Sequence, residues 1–353
     1  MSHALDNGAL DEGWLGTDLR TWSQSIRNGY IRAFIIFALH ETGVFDTLRK
    51  SGAQSSDELA AHCSVNRHLL DGVLHFLLHA DVVLAKDSDE RFRLTRRGEE
   101  WLFSDAVLAM SFGAVGAYSP ILSELVPCLR EEKRYGVDFE REGAYLAKGS
   151  YYTGRSNYPW VVSRLRDLDV RTVVDLGCGS ANVLISFCQI DTELRGIGID
   201  IAPRALEEAR RRVEAEGLQD RIELQLGDLT DPSTYASAVE RADAFNGIMV
   251  FHEFLRDGEE AVVDIFRAMK ERFPGRYLLV GEFDRLTDDE FGAMPYPDRI
   301  HPLFYQHAIH PLTWQGLPQP KDKWLELFER AGLELVEVND EFPFRLVEFI
   351  LRF

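Results

Sequence analysis

The chain has 353 residues, 45% of them apolar, with a formal net charge of −19 and four cysteines. That length exceeds one ordinary core and predicts two domains, while the apolar fraction excludes wholesale disorder. The negative charge would repel a phosphate backbone and no segregated basic face offsets it; Cys63, Cys128, Cys178 and Cys188 lack the spacing of a disulfide framework or a thiolate zinc site.

The acidic start SHALDNGALDEGW is unlike a signal peptide, and no apolar run approaches a bilayer span. A cytoplasmic protein without membrane or nucleic-acid partners is therefore expected. AFIIFALHETGVFDTL (Ala33–Leu48) has the spacing of an amphipathic helix ending near Gly43, and Ser55 or Ser56 is placed to cap SSDELAAHCSV. RHLLDGVLHFLLHADVV and FRLTRRGEEWL follow, giving helices and then a small hairpin. We divide the chain into an N-terminal helical domain (1–105), a helical connector (106–157) and a third domain (158–353). The connector holds Tyr152 and Arg155, which are candidates for a substrate wall; packed linker side chains would serve the sequence equally well.

The run VVDLGCGSAN, Val173–Asn182, joins an internal strand to a glycine turn, and GIGID ends at Asp200. Gly177 and Gly179 let the backbone turn closely against a ligand, and Asp200 closes the second strand where a carboxylate can accept both hydroxyl protons of a ribose. Asn182 stands where a third glycine would complete a dinucleotide fingerprint, which argues against NAD. RALEEARRRVEAE (Arg204–Glu216) is helical in pattern. RIELQLGD is a third strand, DAFNGIMVFHEF (Asp243–Phe254) a fourth, RYLLVGEF (Arg276–Phe283) a fifth, and ELVEV with FRLVEFILRF closes the chain.

Chemistry must come from the carboxyl ends of these strands, where His252 and Glu253 follow the fourth. A long segment from Asp284 to Pro320 then carries His301, His307 and His310 together with six of the thirteen prolines, so it reads as a stiff, irregular lid. Histidine and carboxylate at a strand end, facing histidines from a lid, are the donors a divalent metal with open positions needs. Hydrogen-bonding histidines in a lid would explain the same pattern without a metal.

The D-L-G-x-G turn with an acid after the next strand resembles motifs I and II of class I S-adenosylmethionine (SAM)-dependent methyltransferases. The resemblance implies an α/β fold with a seven-stranded Rossmann-like sheet. It also implies SAM held by Asp175, Gly177, Gly179, Asp200, Ile201, Gly227, Asp228, Leu229 and Phe251, with Asp228 and Leu229 beside the adenine. The N-terminal helices and the LT-x-x-G at Leu94–Gly98 are similar to the winged-helix dimerisation domain of small-molecule O-methyltransferases, which implies a homodimer. A DNA-binding or catalytically silent regulator is disfavoured, because His68–His79 offers leucine and histidine where base contacts need Arg, Lys or Asn.

FHEFLRDGEEA resembles the stretch of plant-type O-methyltransferases whose histidine deprotonates a hydroxyl. The whole pattern resembles more closely the α-keto acid C-methyltransferases, which methylate the β-carbon (C3) of 2-oxo acids on the way to β-methyl amino acids. That resemblance implies a metal at His252, Glu253 and His310, the last eight positions before Pro318 of LPQPKDKW. Zn, Fe, Ni, Co and Mn all suit such a site. Chelation of a 2-oxo acid would stabilise its enolate, and His252, Glu253 and His307 are the catalytic candidates, with Glu253 or His307 as base. The expected substrate is 4-methyl-2-oxopentanoate, with 2-oxoarginine or an aromatic 2-oxo acid next. The alternative is a small-molecule O-methyltransferase with His252 as general base and no metal.

Overall fold

The computed structural model describes residues 19–295, 302 and 304–353, and the chain divides into two compact units between Gly116 and Ala117. In the first unit the helix Leu19–Glu41 stops at Gly43, whose φ of +74° suits glycine, and Val44–Ser51 starts a new helix. The first helix thus ends near Gly43, as its spacing predicts. Ser55 and Glu58 form a capping box at the start of Ser56–Cys63, and Asn66 caps Arg67–Ala80. A hairpin of β1 (Leu84–Lys86) and β2 (Phe92–Leu94) follows. Gly98 sits on the carbonyl of Val83, where any Cβ would collide, so the glycine of LTRRG has a steric cause. Val44, Phe45, Leu59, Leu74 and Phe92 fill the core.

The expectation that no apolar run nears a bilayer span needs amendment. Asp105–Leu122 is long and apolar enough by composition (18 residues, mean hydropathy 1.3), although more than half of it is buried within the protein.

In the second unit, seven strands lie in the order β5-β4-β3-β6-β7-β9-β8: β3 (Thr172–Leu176), β4 (Arg195–Asp200), β5 (Ile222–Leu226), β6 (Ala244–Ile248), β7 (Tyr277–Phe283), β8 (Glu334–Asn339) and β9 (Leu346–Arg352). The first five are parallel, and β9 runs antiparallel between β7 and β8. This is the α/β sheet expected. Helices Tyr158–Asp167, Asn182–Ile190 and Pro203–Ala215 cover one face through Val161, Leu184 and Ala209. Glu259–Arg272 and Lys321–Arg330 cover the other through Phe266, Trp324 and Phe328, each fully buried side chain contributing roughly 1.5–3 kcal/mol.

Two local expectations change. The fourth strand ends at Ile248 because Met249 takes a left-handed φ of +54°, and Phe251–Asp257 is a 3-10 helix that turns His252 off the sheet. The segment after β7 is not wholly irregular: it contains the helix Asp288–Ala293 and a π-helical stretch, Phe304–Ile309, running into His310–Leu312.

Candidate active site

Residues expected to hold the cofactor lie at the carboxyl edge of β3, β4 and β5. Gly177 (φ +69°) and Gly179 (φ +52°) turn the chain back after β3, and a Cβ at Gly177 would stand 3.0 Å from Val250. Asp200 organises this turn as well as facing it: Oδ2 accepts from the Gly179 N–H at 2.8 Å, and Oδ1 from the Ala202 N–H at 2.8 Å. Each oxygen keeps a lone pair for a ribose hydroxyl. Ile201 is 67% exposed, an apolar side chain available to a purine face. A Cβ at Gly227 would press on Ile199 and Tyr235, and Asp228 accepts from the backbone and hydroxyl of Thr230. Ser180 carries a buried hydroxyl with no hydrogen-bond partner, as a site meant for a polar ligand would. Asp175 is buried and accepts from Asn246 Nδ2 at 2.8 Å; burial pushes its carboxyl up to about 7, against the Asn246 bond and with help from Asp200. Leu229 and Phe251 lie in the hydrophobic core, Phe251 against Phe266.

Beyond β6 the structure brings His252 and His310 together, with ring centroids 5.1 Å apart at 89°. Both are buried, each only 4% exposed. His252 Nδ1 lies 2.8 Å from Glu282 Oε2, and the same carboxylate accepts the His252 backbone N–H through Oε1 at 3.1 Å. His310 Nδ1 lies 2.6 Å from the Tyr305 carbonyl. Since that carbonyl can only accept, Nδ1 of His310 carries the proton and Nε2 the lone pair. Burial opposes charge on His252, but the Glu282 carboxylate outweighs it and holds the imidazole above its ordinary value. Burial, then the neighbouring His252, pushes His310 down to about 3 against the pull of the Tyr305 carbonyl.

Glu253 points to a different set. Its Oε1 accepts from Gln315 Nε2 at 2.5 Å and from Arg141 Nη2 at 3.4 Å, and Thr313 Oγ1 fixes the amide of Gln315 by donating to its oxygen at 3.0 Å. Gly316 lies against the backbone of His252, where a Cβ would collide with its carbonyl oxygen. The lid end and the His252 turn are thus interlocked. His307 is not brought to the pair; it is exposed, its ring 5.6 Å from Phe291. Tyr152 and Arg155 stack on one another at 4.9 Å, and the helix that carries Tyr152, Gly143–Gly154, is tied to the glycine turn by Asn182 Nδ2 bonding the Ala147 carbonyl at 3.1 Å. His301 lies outside the described residues. Among the described residues, no group of three or more His, Cys, Asp or Glu side chains is arranged to hold a metal, so any ion would rest on the histidine pair and ligands from elsewhere.

Sequence reasoning missed Glu282 and Arg141. A carboxylate inside the apolar run YLLVGEF was a signal, since a fully buried Glu needs a partner. Arg141, in FEREGAY, carried none.

The profile described as a methyltransferase domain matches residues 173–272. The chain is 28% identical to a 2-ketoarginine methyltransferase of Streptomyces arginensis over 93% of its length and 92% of the relative. It is 25% identical to the methyltransferase ungE' of Aspergillus campestris (strain IBT 28561), over 88% and 90%. Among solved structures it shares its fold with human N-acetylserotonin methyltransferase in complex with SAM (TM-score 0.67, 16% identity, 100% and 99% coverage). A second is mitomycin 7-O-methyltransferase (TM-score 0.64, 19% identity, 94% and 96%).

Proposed function

Because the chain is a class I SAM-dependent methyltransferase, we propose that it transfers the methyl group to C3 of a 2-oxo acid. The observation that carries this reading is the His252–His310 pair, in which both Nδ1 atoms are tied and both Nε2 atoms lie outside those bonds. A second-sphere acceptor on each Nδ1 is the arrangement that orients imidazoles toward a divalent metal. The donor set therefore fits such an ion, held by two histidines, with Glu253, next to His252 in the chain, as a further candidate. When bound, the metal would supply Lewis acidity to the carboxylate and ketone oxygens of the substrate.

The chain's own groups have distinct parts in this proposal. Glu282 and the Tyr305 carbonyl fix the two rings. Arg141, largely buried, makes a long bond to Glu253 and lies beside Tyr118 and Tyr135, and offers its guanidinium to the anionic end of the substrate. Glu253, oriented by Gln315, takes the C3 proton, and the carbon attacks the sulfonium methyl. Phe283 stacks on Tyr305 with centroids 6.1 Å apart, and Tyr118 meets Tyr305 at 6.0 Å, a wall suited to an apolar side chain. This favours 4-methyl-2-oxopentanoate or an aromatic 2-oxo acid; the relative from S. arginensis keeps 2-oxoarginine in view. His307 has no part in it. We also propose that the first unit pairs with that of a second copy, consistent with exposed Ile26, Tyr30 and Phe34 along one helix.

A second reading is O-methylation, with His252, oriented by Glu282, as the base for a substrate hydroxyl. The His252–Glu282 bond favours it, but it leaves His310 without work. Metal analysis of the purified protein, followed by labelled-SAM assays on 2-oxo acids and phenols, tests the two. Methylated 2-oxo acid and stoichiometric metal support the first; phenol methylation by metal-free protein supports the second.

A further inference from the structure

Helix Gly143–Gly154 belongs to two hydrophobic clusters at once. Tyr145 and Leu146, in its first turn, join the cluster of Tyr118, Ile309 and Tyr305, the wall that adjoins His310. Tyr151, two turns on, joins the cluster of Leu184 and Phe187 in the helix Asn182–Ile190 that follows the glycine turn. Between these two groups Asn182 Nδ2 donates to the Ala147 carbonyl at 3.1 Å. That carbonyl can only accept, so the nitrogen of the amide faces it, and a second lone pair remains for the bond within the helix. Asn182 is only 9% exposed, and a donor so nearly buried is costly without an acceptor.

The residue before Asn182 makes its direction sensitive to the turn. Ala181 is fully buried and takes a left-handed φ of +59°, a conformation that an alanine holds only where its surroundings impose it. A ligand resting on Gly177 and Gly179 adds to those surroundings. At the other end of the helix, Arg141 immediately precedes Glu142, whose carboxylate caps the first turn by accepting the Ala144 N–H at 3.4 Å. Arg141 lies beside Tyr118 and Tyr135 and bonds Glu253 at 3.4 Å. At a rise of 1.5 Å per residue, about 9 Å of helix separates it from Ala147, so a tilt at the Asn182 contact moves the guanidinium and the Tyr145 wall together.

We propose that Asn182 is a positioning residue that couples the glycine turn to the acceptor pocket. With the cofactor on the turn, Asn182 is held toward Ala147, the helix stays seated, and Arg141, Tyr145 and Leu146 keep the geometry that the acceptor meets. Asn182 acts through the helix and not on the reacting atoms. By linkage, cofactor and acceptor then each strengthen the binding of the other. The proposal rests on SAM occupying the glycine turn and on Arg141 facing the acceptor, and it is independent of the metal.

Hydrogen–deuterium exchange of the full chain, free and saturated with S-adenosylhomocysteine, reads the coupling without an acceptor. In the natural chain the ligand should slow exchange at 177–182 and also at 135–154. Asn182→Asp keeps the shape but replaces the donor with an acceptor that repels the Ala147 carbonyl. At saturation it should retain the slowing at the turn and lose it at 135–154. Slowing confined to the turn in the natural chain, or equal slowing of 135–154 in the variant, overturns the proposal. If the variant does not fold, the spread of protection in the natural chain decides alone. No slowing anywhere would instead overturn the cofactor assignment, and the proposal with it. In turnover of 4-methyl-2-oxopentanoate, Asn182→Asp should raise KM for the acid about 3- to 10-fold with kcat held within about two-fold. A fall in kcat alone would place Asn182 in the chemistry and overturn the positioning role. Absence of turnover by the natural chain counts against that substrate, and the exchange measurement then decides.

Discussion

Glu282 holds His252 twice, through the ring at 2.8 Å and through the backbone N–H at 3.1 Å, with both carboxylate oxygens engaged and the acid fully buried. One residue of β7 thereby sets both the position and the tautomer of the histidine that follows β6. Glu282→Gln keeps the shape but removes the charge that favours a proton on Nδ1. Turnover should fall about 10- to 100-fold, metal affinity should fall with it, and SAM affinity should hold within about two-fold. Calorimetry beside a labelled-methyl assay separates these. Unchanged turnover would mean that the bond only braces the fold.

Asp200→Ala removes the bonds to the Gly179 and Ala202 N–H groups as well as the proposed ribose contact, so it should cost more than a ribose contact alone. Charge-assisted bonds of this kind contribute roughly 1.5–3 kcal/mol, or about a 10- to 150-fold loss of SAM affinity. Asp200→Asn should fall between. Gly177→Val places a branched side chain at φ +69° and against Val250, and should abolish binding in a chain that still folds. Retention of SAM by Gly177→Val would reduce the turn to a structural feature.

Strands β3 and β4 were legible because each is a short apolar run ending in glycine or an acid, as VVDLG and GIGID show. The end of β6 was not. VFHEF continues the apolar pattern, yet the left-handed backbone at Met249 breaks the strand, and no local residue preference announces that at a methionine. His252 and His310 could be paired from the sequence only through resemblance, since 58 positions separate them. Glu282, Arg141 and Gln315 complete the site through contacts made across the fold. His307 shared the lid with His310 but emerges on the opposite side of an irregular helical turn, which spacing in a proline-rich segment does not disclose.

Stability should carry the mark of two buried acids, Asp175 and Glu348, each pushed up to about 7 by burial. An acid raised to about 7 in the folded chain still binds its proton where the unfolded chain has already lost it. Stability is therefore highest at low pH within this window and falls as pH rises from the ordinary carboxyl range to about 7, levelling above. Thermal melts of ligand-free protein between about pH 5.5 and 8 should show this decline, and Glu348→Gln should flatten it. A melting temperature that climbs over the same range in both proteins would contradict the assignment of Asp175 and Glu348 as neutral.

The two enzymatic readings part at His310. If it is a metal ligand, His310→Ala and His252→Ala should each remove bound metal and C-methylation together, and exhaustive chelation should reproduce both. If His252 is a general base for a hydroxyl, His252→Ala lowers the rate with no metal to lose. His310→Ala is then mild, because a neutral ring bonded to the Tyr305 carbonyl contributes packing alone. The proton chemistry offers an independent check. With S-adenosylhomocysteine in place of SAM, the C3 hydrogens of a 2-oxo acid should exchange with deuterated solvent, since the proton leaves but no methyl is available, and proton NMR would follow the loss of signal. Glu253→Gln should suppress that exchange while keeping the bonds to Gln315 and Arg141 in part, and should leave metal content nearer to the natural level than either histidine variant does. Exchange that persists at the natural rate in Glu253→Gln assigns the base elsewhere. Full methylation of a 2-oxo acid by verified metal-free protein would refute the metal reading and leave His252 as the base.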